Sequence, residues 1–322
     1  MLKYTTPNQE KNRQQVDTIP CCFLLIRIKW EECYITCVNI LPRMLITLHS
    51  SKAWQSIISF ILLLLITKNA VHAQDSLSMQ AMHQQQETGI KEYPVLWQQT
   101  AAEYTALCYQ AFNLAALRVN EIPRKAFKKE RLAIITDLDE TILDNSYSEA
   151  QSIKDGKGYS PANWKRWTNL SAATGVPGAV EFLQYAKQKG ITIFYISNRD
   201  TSEVKTTLIN LQKLQLPDAD TAHMLFLTNT SSKEARRQLI IKDWNVVLLL
   251  GDNLNDFTQA FEKKSIADRK IEVDKVKQEW GKKFIVLPNS TYGEWENALY
   301  NYQRNLSPQQ KEEMRKNLLK GF

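Results

Sequence analysis

Residues 132–141, Leu-Ala-Ile-Ile-Thr-Asp-Leu-Asp-Glu-Thr, constrain the fold more than any other segment of the chain. The run from Leu132 to Ile135 is continuously apolar, which predicts a strand buried on both faces in the middle of a parallel sheet. Asp137 and Asp139 would then emerge at the carboxyl end of that strand. Open α/β sheets bind ligands at this edge, so an acidic pair there indicates metal and phosphate chemistry. An isolated Asp-x-Asp is more often a solvated turn, and the interpretation therefore depends on the rest of the chain.

Further strands and helices alternate after this segment. Apolar runs predict strands at residues 191–196, 223–228, 246–250 and 284–287. Pro177 and Gly190 bracket an amphipathic helix, and Ser307 is predicted to cap the last one. A longer helix is predicted from Pro94 to about Val119, where apolar residues recur at helical spacing. The predicted fold class is α/β, with a central parallel sheet and a small subdomain of N- and C-terminal helices.

Hydroxyl, amide and ammonium groups follow the second and third predicted strands. Ser197 and Asn198 end the second strand, where hydroxyl and backbone N–H groups donate to a phosphate oxygen without adding negative charge. A plain Ser/Asn turn explains these residues equally well. Residues 231–234 have the Ser-x-x-Glu spacing of a capping box, which predicts Lys233 in the first turn of a helix. An ammonium there is unfavourable unless phosphate or the Asp137 carboxylate lies nearby; the alternative is an ordinary surface lysine.

Two aspartates, Asp252 and Asp256, follow the fourth predicted strand, and Gly251 allows close approach of the backbone. Carboxylate oxygens from two strand ends suit Mg²⁺, which binds one or two carboxylates together with phosphate oxygens and water. The chain has only four histidines, and none has the spacing of a zinc site. The sequence therefore predicts magnesium as the cofactor.

The N-terminal part of the chain has the pattern of a leader. Residues 57–66 are apolar apart from Ser59 and are followed by Val71-His72-Ala73, which predicts a secretory signal cleaved after Ala73. The apolar run is shorter than the roughly 20 residues that span a membrane, so no stable membrane anchor is predicted; an uncleaved anchor is the alternative. Residues 1–43 look unlike a signal or a domain, so translation is predicted to begin at Met44, with the signal at 44–73 and a polar linker at 74–92.

Cysteine content and charge limit the function classes further. Four of the five cysteines precede Met44, and the predicted mature chain keeps only Cys108, which allows no intramolecular disulfide. Cys108 belongs to the apolar stripe of the long helix, which favours core packing over a functional thiol. Residues 1–73 hold eight of the 41 Lys and Arg residues and four of the 34 Asp and Glu residues, so the remainder has net charge +3. This weak basicity gives no indication of nucleic-acid polymer binding and is compatible with small anionic substrates.

The motifs at Asp137, Ser197, Lys233 and Asp252 occur in the order found in the haloacid dehalogenase superfamily, which the sequence strongly resembles. Connecting segments narrow the resemblance to the class C acid phosphatase and 5'-nucleotidase (lipoprotein e) family. These segments include Trp97-Gln-Gln-Thr, Tyr195-Ile-Ser-Asn-Arg199, Leu287-Pro-Asn and Tyr292-Gly-Glu-Trp295. The resemblance implies an acid phosphatase domain at 93–322, with a Rossmann-like core at 131–290 and a helical subdomain from residues 93–120 and 294–322.

The resemblance also implies the roles of the acidic residues. Asp137 would be the nucleophile that forms an aspartyl-phosphate. Asp139 would protonate the leaving alkoxide and then deprotonate the attacking water. The Asp137 carboxylate, the backbone carbonyl of Asp139 and Asp252 would bind Mg²⁺, and Asp256 would support them.

The remaining motif residues would bind the phosphoryl group, and the chain departs from the family in two places. Ser197, Asn198 and Lys233 would hold the phosphoryl oxygens in line with the nucleophile. Relatives usually carry a lipidated cysteine just after the signal, whereas this chain has none near Ala73. Asn255 stands where many relatives have a second aspartate.

Two aromatic segments are predicted to cover the same crevice. One is the insertion at residues 144–174, with Trp164 and Trp167, and the other follows Pro288 and contains Tyr292. Each of these residues is also explained by ordinary packing, Trp167 above all. Trp164 and Tyr292 are the candidates for stacking on a nucleotide base.

The sequence thus predicts an exported, periplasmic or secreted phosphatase that depends on magnesium and hydrolyses small phosphomonoesters, above all 5'-nucleotides. Two alternatives stay open: a phosphotransferase that uses the same site, and a catalytically silent storage or binding protein of the same fold. The sequence allows a homodimer and does not distinguish it from a monomer.

Overall fold

The computed structural model describes residues 51–123, 125 and 130–322. The predicted start at Met44, residues 1–43 and the first four cysteines lie outside the described residues. The chain divides into two compact units, Met1–Ser76 and Leu77–Phe322.

The described part of the first unit is helical. It belongs to helix α1, which spans Ser51–Thr100, and its apolar residues 58–66 are exposed. Among the described residues, no helix combines the length and the apolar character needed to cross a membrane. The residues predicted as a linker, 74–92, have a helical backbone in the structure. Cleavage after Ala73 stays a prediction.

Two helices cover the region where the sequence predicts one. Helix α1 continues through Pro94 to Thr100, and α2 spans Ala102–Glu121. Ala101 between them has an extended backbone with ψ 126°. The predicted start at Pro94 is therefore wrong, because proline removes one backbone donor without ending the helix here. The apolar stripe of α2 is buried as predicted, at Tyr104, Cys108, Ala115 and Val119.

A central sheet of five parallel strands confirms the predicted fold class. Its strands are β1 (Leu132–Thr136), β4 (Thr192–Ile196), β5 (Met224–Leu225), β6 (Asn245–Gly251) and β7 (Phe284–Val286), while β2 (Leu143–Asp144) and β3 (Thr174–Gly175) form a separate antiparallel pair. The order β5-β4-β1-β6-β7 places β1 in the centre, and all five of its residues are buried. Because the strands are parallel, the carboxyl ends of β1, β4 and β6 meet at one edge.

The two faces of the sheet contact different apolar clusters. Ile134 of β1 belongs to one cluster, whereas Ala133 and Ile135 belong to the other. This alternation follows from the pleat of a strand, in which successive side chains point to opposite faces. The continuous apolar run of β1 is thus explained by burial on both sides.

Strand β5 and the helix before β4 differ from their predicted bounds. Only Met224–Leu225 pair as a strand within the predicted range 223–228, because the chain leaves the sheet and the Leu227 N–H donates to the carbonyl oxygen of Arg199 at 3.1 Å. Helix α5 spans Ala179–Gln188 and begins after Gly178, which has φ 87°. Pro177 therefore precedes the helix rather than starting it.

The other helices lie between and after the strands. In chain order they are α3 (Ser146–Lys154) and α4 (Pro161–Leu170) in the insertion, α6 (Val204–Lys213), α7 (Glu234–Ile241), α8 (Ile266–Lys275), α9 (Glu294–Leu299) and α10 (Pro308–Leu318). The Ser307 hydroxyl accepts a hydrogen bond from the Gln310 N–H, which confirms the predicted cap of α10. The predicted helical subdomain stays a prediction.

Candidate active site

The first of the two paired aspartates lies directly beyond the central strand. The Asp137 N–H donates to the Leu250 carbonyl oxygen at 3.0 Å, which continues the pairing of β1 with β6. Its carboxylate Oδ1 lies 2.5 Å from Nζ of Lys233, and the same Nζ lies 2.6 Å from Oδ1 of Asp256. The Lys233 side chain is only 6% exposed. One ammonium therefore joins two carboxylates that follow different strands.

Lys233 reaches this position without the predicted capping box. It is the residue immediately before α7 rather than a member of its first turn. The Glu234 carboxylate accepts hydrogen bonds from Arg237 and Gln238, and the Ser232 hydroxyl donates to Glu262. The capping-box prediction is wrong because the helix begins after Lys233 rather than after Ser231, and because the Glu234 carboxylate binds side chains of the next turn of its own helix.

Three carboxylates form a cluster that could hold a metal ion. Ligand oxygens of Asp137, Asp252 and Asp256 all lie within 4.8 Å of one another. The predicted metal set includes Asp139 through its backbone carbonyl and gives Asp256 a supporting role, and this assignment stays a prediction. The Asp256 side chain can lie against the backbone at the end of β6 because Gly251 has no side chain. A Cβ at position 251 would lie 2.4 Å from Cβ of Asp256.

The charges of this cluster are unbalanced. Burial, together with the neighbouring Asp256, raises the pKa of Asp252 to about 7. Burial also raises the pKa of Asp137, against the opposing effect of Lys233. One ammonium thus faces three carboxylates, of which Asp256 is buried and the other two are partly exposed, and a set of hard oxygen donors with excess negative charge fits a divalent cation such as Mg²⁺.

The second paired aspartate, Asp139, contacts an arginine that the sequence analysis quoted without assigning it a role. Arg199 Nη2 lies 2.7 Å from Oδ1 of Asp139, and Nε lies 3.0 and 3.2 Å from its two oxygens. The Asn145 amide donates to the same Oδ1 at 2.8 Å. Burial lowers the pKa of Arg199, but Asp139 outweighs this effect and the pKa is raised. The guanidinium therefore remains a fixed positive charge that orients Asp139.

The predicted phosphate-binding residues of the second strand occupy different environments. Ser197 is fully buried, and its Oγ accepts the Arg199 N–H at 3.1 Å and donates to Asp139 Oδ2 at 3.4 Å. Asn198 lines the cavity, and its Oδ1 accepts a hydrogen bond of 2.6 Å from Arg236. Arg236 also donates to the Ser197 carbonyl oxygen at 2.7 Å. Arg236 was not singled out from the sequence, although it lies three residues after Lys233 near the predicted start of a helix, a spacing that places the two side chains on the same face.

A buried network connects Asp139 to the aromatic loop. Glu140 is 1% exposed and has φ 56°. Its carboxylate accepts hydrogen bonds from the Asn145 backbone N–H, the Asn145 amide and the Tyr292 hydroxyl. Burial and the charge of Asp139 raise the pKa of Glu140 well above its usual range. Neither Glu140 nor Asn145 was singled out from the sequence; the Tyr292 partner of Glu140 is 152 residues away.

The two paired aspartates, Lys233 and the two aspartates after β6 line a cavity of about 490 Å³. Trp164 and Tyr292 lie on its wall as the sequence predicts, together with Tyr159, which was not assigned to the site. The Arg199 guanidinium lies 5.4 Å from the centre of the Trp164 ring. Trp167 packs elsewhere: its ring stacks on Tyr147, and its Nε1 donates to Asn145 at 2.8 Å.

Comparison with known proteins agrees with this fold. The chain matches the family model of the HAD superfamily, subfamily IIIB (acid phosphatase), over residues 60–295. It therefore belongs to the acid phosphatases of the haloacid dehalogenase superfamily and is a phosphomonoesterase.

Solved structures narrow this class. The chain is 42% identical to the class C acid phosphatase from Bacillus anthracis, with a TM-score of 0.70 and a match that covers 73% of this chain and 98% of that one. A second structure of that phosphatase, with tungstate bound, has the same identity, coverage and TM-score. The protein is a member of the class C acid phosphatase family.

Proposed function

We propose that this protein is an exported, magnesium-dependent phosphatase that hydrolyses 5'-nucleotides through an aspartyl-phosphate. The observation that carries the proposal is the position of Asp137, whose carboxylate lies in the cavity beside Lys233 and within the acidic cluster. This arrangement combines a nucleophile with a cation that neutralises the phosphoryl group, and phosphoryl transfer requires mainly such positioning and charge stabilisation.

In the first step, an oxygen of Asp137 attacks phosphorus while the bond between phosphorus and the ester oxygen breaks. Asp139 supplies the proton that the leaving alkoxide takes up. In the second step, Asp139 accepts a proton from water, which attacks the aspartyl-phosphate and releases inorganic phosphate and free Asp137. The bidentate contact with Arg199 holds the Asp139 carboxylate in one orientation for both proton transfers.

Lys233 and the end of β4 are proposed to bind the phosphoryl oxygens. The Lys233 ammonium is buried and carries full positive charge, since Asp137 and Asp256 raise its pKa against the effect of burial. Asn198 lines the cavity and is fixed by Arg236. Ser197 is buried against Asp139, so its proposed contact to phosphate requires its hydroxyl to turn towards the cavity. The tungstate held by the Bacillus anthracis enzyme supports an oxyanion site in this family.

Asp137 and Asp252 are proposed to hold Mg²⁺ together with the backbone carbonyl of Asp139, and Asp256 to support them. When bound, the cation supplies positive charge that neutralises the phosphoryl oxygens. Both Asp252 oxygens are already oriented, one by the Thr141 hydroxyl at 3.2 Å and the other by the Asn289 amide at 2.8 Å.

The nucleotide preference is proposed from the aromatic wall of the cavity. Trp164 comes from α4 and Tyr292 from the loop after β7, and both line the space beside the acidic cluster. Flat aromatic faces bind any nucleobase by stacking, which contributes about 1–3 kcal/mol for each base. A nucleoside 5'-monophosphate would place its phosphate at Asp137 and its base against this wall.

The proposal is tested by screening phosphomonoesters with and without Mg²⁺ at several pH values, with wild-type protein and Asp137→Asn. The near-isosteric substitution removes the nucleophilic oxygen, so turnover should vanish while the thermal unfolding temperature stays close to that of the wild type. An Asp137→Asn protein that keeps more than a few per cent of activity would contradict the covalent mechanism. Product analysis with added nucleoside in the same assay separates hydrolysis from phosphotransfer.

A further inference from the structure

A second cavity of about 320 Å³ adjoins the catalytic cavity. The two share Lys91, Glu149 and Tyr159 in their walls. The second cavity extends between α1, the connection from α3 to α4, and the C-terminal helices α9 and α10. Residues from these elements that line it include Lys157, Glu296, Tyr300, Lys311 and Arg315. We call this second cavity the basic compartment.

The two cavities differ in the sign of their charge. The catalytic cavity is lined by six carboxylates and three cationic side chains. The basic compartment is lined by four cationic side chains and two carboxylates. An anion therefore meets favourable potential in the basic compartment, whereas in the catalytic cavity it depends on Lys233, Arg199 and a bound divalent cation.

Two of the four cationic groups of the basic compartment, Lys311 and Arg315, contact one buried tyrosine, Tyr300. Arg315 Nη1 donates to the Tyr300 hydroxyl at 2.7 Å, and Lys311 Nζ lies 5.9 Å from the centre of the Tyr300 ring. Lys311 and Arg315 are half-buried on α10. Glu296 is also half-buried, and burial raises its pKa even though Lys91, Lys311 and Arg315 act to lower it. These charges therefore act on one another inside a single pocket rather than as separate surface groups.

We propose that the basic compartment binds a second phosphate group of the substrate, so that the enzyme prefers phosphomonoesters that carry two phosphates. This inference rests on the proposed function of the catalytic cavity and names a substrate class for it. The phosphate to be cleaved would lie at Asp137, and the second phosphate would lie past Lys91 against Lys311 and Arg315. A guanidinium and an ammonium, both half-buried, provide the charge-assisted hydrogen bonds that phosphate oxygens accept.

The test compares adenosine 5'-monophosphate with adenosine 3',5'-bisphosphate on the full-length enzyme. The wild type should have the lower KM for the bisphosphate and should release its 5'-phosphate, leaving the nucleoside 3'-monophosphate. Lys311→Gln and Arg315→Gln should each raise the KM for the bisphosphate about tenfold, the loss expected for one hydrogen bond to a charged group. The KM for the monophosphate and kcat for both substrates should stay within twofold.

A matched control variant and a further variant at an exposed position make the test specific for the basic compartment. Lys316→Gln makes the same charge change on the same helix, but Lys316 is 70% exposed and paired with Glu312, so both KM values should stay unchanged. Lys157 lines the basic compartment from an exposed connection, so Lys157→Gln should not impair folding. This variant should raise only the KM for the bisphosphate.

The outcomes separate this inference from the proposed function. If Lys311→Gln and Arg315→Gln changed the KM of both substrates equally, or of neither, the proposal that the basic compartment binds a second phosphate would be overturned. The proposed hydrolysis of nucleotides would not be affected by that result. A wild-type enzyme that cleaves p-nitrophenyl phosphate but neither nucleotide would instead refute the proposed nucleotide preference, and the inference with it.

Discussion

Replacing Gly251 with alanine should disrupt the acidic cluster, because the added methyl group would overlap sterically with the Asp256 side chain. A Cβ at position 251 would lie 2.4 Å from Cβ, 2.5 Å from Oδ2 and 2.8 Å from Cγ of Asp256. Carbon atoms in favourable contact are about 3.5–4.0 Å apart, so the Asp256 side chain must move by about 1 Å or more. Gly251 is not among the glycines with positive φ, so the effect does not arise from backbone strain.

The movement would break contacts that hold the site together. Asp256 Oδ1 lies 2.6 Å from Lys233 Nζ, and its Oδ2 accepts the Asn253 N–H at 3.0 Å. Overpacking of a well-packed site typically costs about 1–3 kcal/mol of unfolding free energy. For a domain of this size, that corresponds to a fall in Tm of about 2–12 °C. Because Lys233 also contacts Asp137, a shift of about 1 Å should lower kcat by about 100-fold.

Thermal unfolding and steady-state kinetics with p-nitrophenyl phosphate measure both effects, and Gly89→Ala is the control. Nothing lies within 4 Å of a Cβ at position 89, and this glycine is helical, so alanine there should leave activity unchanged and Tm equal or slightly higher. Wild-type kcat and Tm in Gly251→Ala would refute the argument that close approach of Asp256 to this glycine builds the site.

Three further outcomes are expected. Trp164→Ala and Tyr292→Ala should each lower kcat/KM for nucleotides about 5- to 150-fold, from a stacking energy of about 1–3 kcal/mol, and should spare small aliphatic phosphates; parallel losses in both substrate classes would contradict stacking. The pKa of Asp252 is raised from 3.8 to about 7, so the folded metal-free protein binds more protons than the unfolded chain in this window. Its Tm in chelator should therefore fall as pH rises from 4 to 7, and Mg²⁺ should oppose this fall; a Tm that rises with pH in chelator would contradict the sign. N-terminal sequencing of the exported protein should begin at Gln74, and an unprocessed or lipidated N-terminus would contradict the predicted cleavage.

The parts of the structure that the sequence predicts well are those set by short-range pattern. The buried run of β1 and the apolar stripe of α2 were predictable because burial on both faces, or on one helical face, leaves a periodic signature. The meeting of Asp137, Lys233 and Asp252 followed from topology, since parallel strands bring their carboxyl ends to one edge. Here local pattern and global fold agree.

The parts that the sequence did not predict depend on partners distant in the chain. The Ser232 hydroxyl, next to the predicted cap Ser231, donates to Glu262, which is 30 residues away. The helix then begins after Lys233, and Glu234 binds Arg237 and Gln238 within the same helix, so no capping box forms. Local spacing shows what a side chain could bind, while the folded chain offers competing partners that spacing does not reveal. For the same reason, the sequence around neither Tyr292 nor Glu140 indicates that the two side chains form a hydrogen bond.

The two proposed catalytic carboxylates illustrate why one fold can give them different tasks. Asp137 and Asp139 are two residues apart, yet each contacts its own buried cation from a different element. Lys233 is a compact charge that contacts Oδ1 of Asp137 through one nitrogen, which neutralises the carboxylate without imposing the planar geometry of a guanidinium. Arg199 contacts both oxygens of Asp139 through a planar fork, which fixes the carboxylate plane, as a proton donor and acceptor requires. Exchanging the two cation types would therefore remove the distinction between the carboxylates even though every charge would be kept.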